Sequence, residues 1–528
     1  MRQPAAAAGA APPAEWQPTA SPWLIAVAVM LATFMEVLDT SVANVSLPHI
    51  GGSFAATPEE ATWVLTSYLV SNAIVLPTTG WLAGTIGRKR LLIICILIFT
   101  GASALCGAAA SLRVLIGARI AQGIGGGALQ PIAQAILMES FPPARRGVAM
   151  AVFAMGIIVA PILGPTLGGF ITDEYSWRWV FYINLPVGAV AILMAQSFIE
   201  DPPYIRRKST RRVDYLGFGF MAIFLGTLQL VLDKGQEDDW FQAAWIRWFV
   251  AISATALVAF IVRELTVHEP IVDLRVLGDR NFAVGTVMVT VVGMVLYGTT
   301  AMLPLFLQTL LGYSAVDAGL AVSPRGLGAL LASMTVGRLV GRLDNRLLMT
   351  AGFGLMALSG FLFSGMNLDV AMTNVVTTNI VNGFANPLVF IAMSTTSMGT
   401  LRNEQMGNAT GIYNLMRNTG ASIGIAAMTT LLARGAQVHQ VELMAHVTPF
   451  DPAYRLWLDR TTQDLAPRLG AVDAGTAALG LLYDTVVRQA TLLAYLDNFR
   501  RISVLAILCV PLVFLFRKGR VRRGEPVR

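Results

Sequence analysis

Fourteen times along this chain an apolar run reaches the length of a bilayer span, and that recurrence limits what it can fold into. A helix needs about 20 apolar residues to cross the hydrocarbon core. The runs fall at 23–50, 61–82, 91–110, 112–137, 148–171 and 179–199, then at 214–233 and 243–262. A second group of six lies at 282–309, 318–341, 346–366, 371–396, 407–434 and 500–517. With 55% hydrophobic and 13% charged residues, most of the chain is unsuited to water. Short alternating strands, the signature of a membrane β-barrel, do not occur. The expectation is an all-α polytopic membrane protein with 14 transmembrane helices: two six-helix bundles plus two inserted helices.

Charge sets the expected orientation. The connections after every second span carry GRKR, PPARR, IRRKSTRR, RELTVHEPIVDLRVLGDR, GRLDNR and LRNE, and the chain ends RKGRVRRGEPVR. The short connections on the other side hold Arg113, Arg178 and Lys234 alone. Cytoplasmic loops collect Lys and Arg, so both termini are expected in the cytoplasm of a multi-pass inner (plasma) membrane protein. The net charge of +7 is thus topological and gives no reason to expect nucleic-acid binding. Boundaries follow: a disordered cytoplasmic tail at 1–22, a first bundle at 23–200, and two inserted helices with linkers at 201–280. A second bundle at 281–517 includes an outer-face loop at about 435–499, and a basic cytoplasmic tail occupies 518–528. Within the outer loop, Leu479, Leu482, Val486, Leu493 and Leu496 recur at near-helical spacing, predicting an amphipathic helix.

Several chemistries are excluded. Cys95, Cys106 and Cys509 lie in apolar runs, and the four histidines have no second histidine or cysteine at i+3 or i+4, so neither a disulfide framework nor a metal site is expected. No GxxxxGK[ST] phosphate loop occurs, which argues against ATP-driven pumping. No Ser/His/Asp grouping suggests an enzyme. Work done by such a chain would draw on the proton motive force, with no cofactor.

An internal repeat supports the two-bundle reading. Residues 80–92 read GWLAGTIGRKRLL and residues 337–348 read GRLVGRLDNRLL, each following the second span of its group. Repeated bundles that rock about a midplane site have the geometry of a secondary transporter.

The first span, WLIAVAVMLATFMEVLDTSVANVSLP, contains Glu36 and Asp39, nearly one helical turn apart. A carboxylate at mid-membrane costs on the order of 2.5–3.5 kcal/mol, which makes each a functional candidate. Burial favours the protonated form and an opposing cation the charged one. Arg119, in LIGARIAQGIGGGALQPI of the fourth span, is the plausible cation, with Gln122 one turn on. Asp39, Glu36 and Arg119 are expected to handle a proton, and Gln122 to share a substrate-cavity face. In span 5, FAMGIIVAPILGPTLGGFI, Gly156, Gly164, Gly168 and Gly169 are expected to admit a neighbouring helix closely, while Pro161 and Pro165 bend the span or break its ladder. Arg325 and Arg417 are the deep charges of the second group, suited either to an anionic group on cargo or to tying helices together. Asn382, Asn386, Tyr413, Asn414 and Met35 are further candidates for a cavity wall that repacks around amphipathic molecules.

At these residues the sequence resembles the drug:proton antiporters of the major facilitator superfamily, in particular its fourteen-span EmrB/QacA group. LDTSVANVSLP is similar to the group's first-span motif, and GWLAGTIGRKR to the superfamily loop motif after span 2. RIAQGIGGG resembles the span 4 motif, LGPTLGG the antiporter motif, and WRWVFYINLPVG the start of span 6. The resemblance runs from about residue 23 to 517. It implies Asp39 as the proton-linked acid, Arg119 as its partner, and span 5 glycines that enforce exchange. It also implies a cytoplasmic gate loop of Gly80, Gly84, Gly87, Arg88 and Lys89, although the loop motif usually has an acid where this chain has Gly84. Glu36 is an acid beyond the motif, which implies either a second proton or a preference for cationic cargo. Small amphipathic substrates, protons and the lipid bilayer are the implied partners. The long segment before the last span resembles members that work with a periplasmic membrane-fusion adaptor and an outer-membrane channel. Alternatives are a narrow exporter of an amphipathic acid or endogenous metabolite, and a non-transporting receptor that senses through its outer loop.

Overall fold

The computed structural model describes residues 18–142, 145–202, 214–340 and 342–517. The terminal tails at 1–17 and 518–528, the IRRKSTRR stretch and Gly341 lie outside the described residues.

Apolar runs become helices because every backbone polar group in a membrane must be satisfied within its own segment. The first group comprises α1 (Pro22–Ser53), α2 (Pro58–Val75), α3 (Thr79–Ile86), α4 (Arg88–Gly107), α5 (Leu112–Gly126), α6 (Leu129–Ser140), α7 (Arg146–Glu174), α8 (Trp179–Tyr182) and α9 (Asn184–Phe198). Two inserted helices follow, α10 (Tyr215–Lys234) and α11 (Ala244–Thr266). The second group comprises α12 (Arg280–Leu305), α13 (Ala315–Val322), α14 (Pro324–Leu339), α15 (Asn345–Phe363), α16 (Met372–Met398), α17 (Met406–His446), α18 (Pro452–Leu469) and α19 (Ala471–Val513). No strand occurs among the described residues, which are all-helical apart from connections and one isolated bridge between Val340 and Leu343.

Local chemistry places the helix ends. Thr57 and Glu60 form a capping box at the start of α2, with Pro58 in the first turn, satisfying donors the helix leaves open. Asp214, Asp279 and Ser314 cap α10, α12 and α13 through their side chains. Gly87 has φ +90°, and a Cβ there would lie 2.5 Å from Asp201 Oδ2. Only glycine makes this corner between α3 and α4 without strain.

Nine helices among the described residues are long and apolar enough to cross a membrane by length and composition, rather than fourteen. The other expected runs are helical but do not each form one uninterrupted apolar rod. Runs 112–137 and 318–341 are divided by turns at Gly127–Ala128 and at Ser323. Run 148–171 lies within α7, and run 407–434 lies in α17 and carries Asn408, Asn414, Arg417 and Asn418. Run 500–517 is largely the tail of α19.

The segment expected as an outer loop is the largest correction. Instead of a connection at 435–499, α17 continues to His446, α18 packs on α19, and α19 runs 43 residues into the last apolar stretch. The buried stripe of α19 also differs from the leucine pattern. Leu479 and Leu493 are exposed, whereas Ala474, Ala478, Val486, Ala490 and Ala494 are buried. Alanines let helices lie close together, as where a Cβ on Gly435 of α17 would meet Ala494 at 3.2 Å.

Within the first group α1 packs along α7, and α5 lies between α2 and α4; within the second, α12 packs along α17 and α14 along α16. The groups meet through α7 against α14 and α16, and through α3 and α6 against α17. Helix α10 lies on both α2 and α17. Thr66 donates to Asp233, and Lys234 donates to Thr62 at 2.6 Å, on the α2 side. On the α17 side Ser422 donates to Gln229 at 3.0 Å, and Trp240, just beyond α10, donates to Thr430 at 2.9 Å.

Candidate functional site

Asp39 and Arg119 are both wholly buried and form an ion pair of 2.6 Å, Arg119 Nη1 to Asp39 Oδ2. The other carboxylate oxygen accepts from Gln122 Nε2 at 2.9 Å and from Asn184 Nδ2 at 2.6 Å. Arg119 donates further to Gln122 Oε1 at 2.8 Å and to the Val64 carbonyl at 3.0 Å. Its guanidinium lies 4.3 Å from the Tyr68 ring centroid. Asn184 is itself held by Ser103, at 3.0 Å. Four helices thus converge on one carboxylate: α1 brings the acid, α5 the cation and amide, α9 the asparagine and α2 the ring. Breaking such a pair by removing one partner typically costs about 3–5 kcal/mol, because the other charge is left uncompensated.

Glu36 occupies a different setting. Its oxygens accept from Tyr68 Oη at 3.4 Å, Asn72 Nδ2 at 3.3 Å and Gln130 Nε2 at 2.7 Å. Among the described residues these neutral groups are its hydrogen-bond donors, and none is a cation. The oxygen of Gln130 accepts from Arg417 Nη2, so one amide joins an acid of α1 to a cation of α17. Tyr68 connects the two acids, its ring under Arg119 and its hydroxyl on Glu36.

The remaining candidates are packed rather than open to water. Arg325, Asn382, Asn386, Tyr413, Asn414, Arg417, Gln122 and Met35 are all buried. Arg325 donates to Thr300 at 2.9 Å, and Asn382 donates to Ser359 at 2.8 Å, both within the second group. Asn386 donates to the Asn382 carbonyl at 2.9 Å. Asn414 instead donates to Gln134 of α6 at 2.6 Å, a second rung beside Arg417 and Gln130.

The loop residues Gly80 to Lys89 mark a meeting of the two groups. A Cβ on Gly80 would lie 2.6 Å from the Asn408 backbone, so α3 sits directly on the start of α17. The repeat holds on the other side, where a Cβ on Gly337 would meet Ala151 at 3.3 Å at the start of α7. Gly84 carries no acid, but Arg88 has one: it pairs, buried, with Glu139 at the end of α6. Lys89 donates its backbone N–H to Asp201 at 2.9 Å and its ammonium to the Gln196 carbonyl at 2.5 Å.

The span 5 motif is corrected in part. Gly164 and Gly168 receive α1 closely: a Cβ on Gly164 would collide with the Ser41 side chain, and one on Gly168 would lie 2.8 Å from Val42 Cγ1. A Cβ on Gly156 would make ordinary contact with Met30 at 3.5 Å, and one on Gly169 would meet nothing within 4 Å. Pro161 accepts from Ser41 Oγ at 3.3 Å through its carbonyl. Neither Pro161 nor Pro165 breaks the helix, since α7 is continuous from Arg146 to Glu174.

Tyr68, Asn72, Gln130, Gln134, Glu139, Asn184 and Asp201 were not evident from sequence as parts of these networks. Asn184 stands within WRWVFYINLPVG, and Glu139 beside PPARR; those positions were the available signals.

Comparison with known proteins settles the family. The profile described as Major Facilitator Superfamily matches residues 29–425. The chain belongs to that superfamily. It is 36% identical over 496 residues to the fatty acid resistance protein FarB of Neisseria gonorrhoeae, covering 93% of this chain and 95% of that one. It is 37% identical over 431 residues to the multidrug export protein EmrB of Escherichia coli K12, covering 81% and 84%. This facilitator therefore stands within an EmrB-like branch and is a multi-pass membrane protein. The crystal structure of the human organic anion transporter MFSD10 (TETRAN) shares its fold, with a TM-score of 0.62 at 14% identity, covering 95% of this chain and 100% of that one.

Proposed function

We propose that this chain is a proton-coupled multidrug efflux antiporter of the inner membrane, exporting amphipathic small molecules. The observation that carries the reading is the buried Asp39–Arg119 pair with Gln122 and Asn184 on the second carboxylate oxygen. The names of the relatives, a multidrug export protein and a fatty acid resistance protein, support amphipathic cargo.

In the proposed cycle, cargo enters from the inside while Asp39 is charged and closed on Arg119. Protonation from the outside opens the pair and favours the state that releases cargo. Proton and cargo must stabilise different states, or no coupling results. One proton moving inward across about 150 mV supplies roughly 3.5 kcal/mol. At about 1.4 kcal/mol per tenfold, that sustains a cargo gradient of a few hundredfold.

The architecture that accompanies this reading has fourteen crossings, with α5–α6, α7, α13–α14, α17 and the end of α19 added to the nine apolar helices. Both termini lie in the cytoplasm, so the Gly80–Arg88 contact with α17 and the Gly337 contact with α7 form the cytoplasmic gate. Gly164 and Gly168 hold α7 against α1 beside the proton site. Helices α17 and α19, at 41 and 43 residues, are each roughly 60 Å long at 1.5 Å per residue, about twice the hydrocarbon core. The projecting part, tipped by exposed Phe450, is the surface proposed for a periplasmic membrane-fusion adaptor leading to an outer-membrane channel.

The test is proton movement in proteoliposomes under an inward-acid gradient, with a lipophilic cationic dye as cargo. Dye-triggered proton flux that disappears in Asp39→Asn supports the reading. Dye movement without proton flux, or an Asp39→Asn variant as active as the wild type, overturns it.

A further inference from the structure

Arg417 is 2% exposed, and its Nε and Nη1 groups have no hydrogen-bond partner among the described residues. Its Nη2 meets the Gln130 oxygen across the seam between α17 and α6, and the side-chain oxygen of its neighbour Asn418 at 3.3 Å. A buried guanidinium left with unpaired donors is expensive, so a native structure retains one only for a reason. One turn away on the same face of α17, Tyr413 is fully buried and its hydroxyl is also without a partner among the described residues. The Phe390 ring lies 5.8 Å from the guanidinium carbon and adds an apolar wall.

The seam position matters. Arg325 is committed inside the second group, donating to Thr300, with its backbone carbonyl packed where a Cβ on Gly383 would have to sit. Arg417 faces the first group, where its hydrogen-bond partner among the described residues is the Gln130 amide, with the Glu36 carboxylate on the far side of that amide and acting on the guanidinium through charge alone. The orientation of that amide follows from its neighbours, oxygen toward the cation and nitrogen toward the Glu36 carboxylate. Any motion that separates α17 from α6 withdraws Gln130 and leaves the fork of guanidinium donors facing the opening. Such a fork matches the two oxygens of a carboxylate, which would also neutralise the charge directly.

We propose that Arg417, with Tyr413 and the Phe390 wall, is a subsite for the carboxylate head of amphipathic cargo, closed in this conformation by Gln130. This rests on the exporter reading above and names the charge class that one part of its cavity recognises.

The experiment uses the full chain in lipid nanodiscs and three probes of one shape: 2-naphthoate, its neutral amide and 2-naphthylmethylammonium. Binding is measured by equilibrium dialysis. Loss of a charge-assisted contact is worth about tenfold or more, so naphthoate is expected to bind at least that much tighter than the amide. Arg417→Gln should erase the preference. Gln130→Ala should strengthen naphthoate binding, a gain that an unfolded variant cannot produce. Equal binding of the three probes, no binding by any, a preference for the ammonium probe, or a preference that survives Arg417→Gln would each overturn the subsite. Dye-evoked proton flux from the same preparation separates the two claims. Flux without naphthoate preference sinks only the subsite, and naphthoate preference without flux sinks the transport cycle.

Discussion

The two bundles repeat a fold but divide its chemistry. Buried in the first are Glu36, Asp39 and Glu139 with Arg88 and Arg119. Buried in the second are Arg325, Arg417 and the asparagines Asn281, Asn379, Asn382, Asn386, Asn414 and Asn498, with no buried acid among its described residues. A carboxylate can gain and lose a proton near neutrality, whereas an arginine cannot. In the proposed cycle the proton step falls to the first bundle, and the second is reached across their contacts. Gln130 is one such contact, a neutral amide between Glu36 and Arg417.

The largest expected effect is on the first bundle's ion pair. Arg119→Ala should destabilise the protein by about 3–5 kcal/mol, because Asp39 is left buried and unpaired. Thermal unfolding of purified variants checks this, and combining the change with Asp39→Asn should recover much of the loss. If Arg325→Ala proves equally destabilising without any acid nearby, the division of chemistry fails. Next come the span 5 glycines. Gly164→Val should cost about 1–3 kcal/mol by driving a side chain into Ser41. Gly169→Val, on open space, should stay within about 0.5 kcal/mol in the same assay.

A smaller effect is expected at Glu36, which is held by neutral donors. Glu36→Gln should lower cargo-evoked proton flux by no more than about tenfold, while Asp39→Asn abolishes it. Equal loss in both would mean that the two acids act as one unit through Tyr68. Smallest of all, Trp240→Phe removes the indole N–H shared between Thr430 and Gln236 and should cost about 0.5–1.5 kcal/mol in unfolding.

What was legible in the sequence follows from what costs energy in a bilayer. Charges inside apolar runs stand out, so Asp39, Glu36, Arg119 and Arg417 were identifiable from the order of residues alone. Gln122 followed from its spacing to Arg119. Neutral partners carry no such signal: Asn184, Gln130 and Tyr68 look like ordinary polar or aromatic residues until helices from distant parts of the chain meet. Glu139 reads as part of a charged connection, yet it is in the last turn of α6 and buried against Arg88. In 447–499 the leucine spacing at 479–496 predicted a helix, but its full extent and its buried face were not legible. Up to residue 490 the described buried residues of α19 are Ala474, Ala478, Val486 and Ala490, small side chains that a search for large apolar residues passes over. The division of spans at Gly127–Ala128 and Ser323 is similarly invisible to a count of apolar residues.

The placement of α10 makes the two flanks of this protein unequal. Along the seam between α2 and α17 it stands as a shutter, fastened on one side by Asp233 and Lys234 and on the other by Gln229 and Trp240. Along the seam between α7 and α14 neither inserted helix is packed among the described residues, and Leu327, Leu331 and Met334 are exposed. A molecule dissolved in the bilayer thus meets two differently built walls, one seam covered by a third helix at α2 and α17 and one closed by the direct packing of α7 on α14.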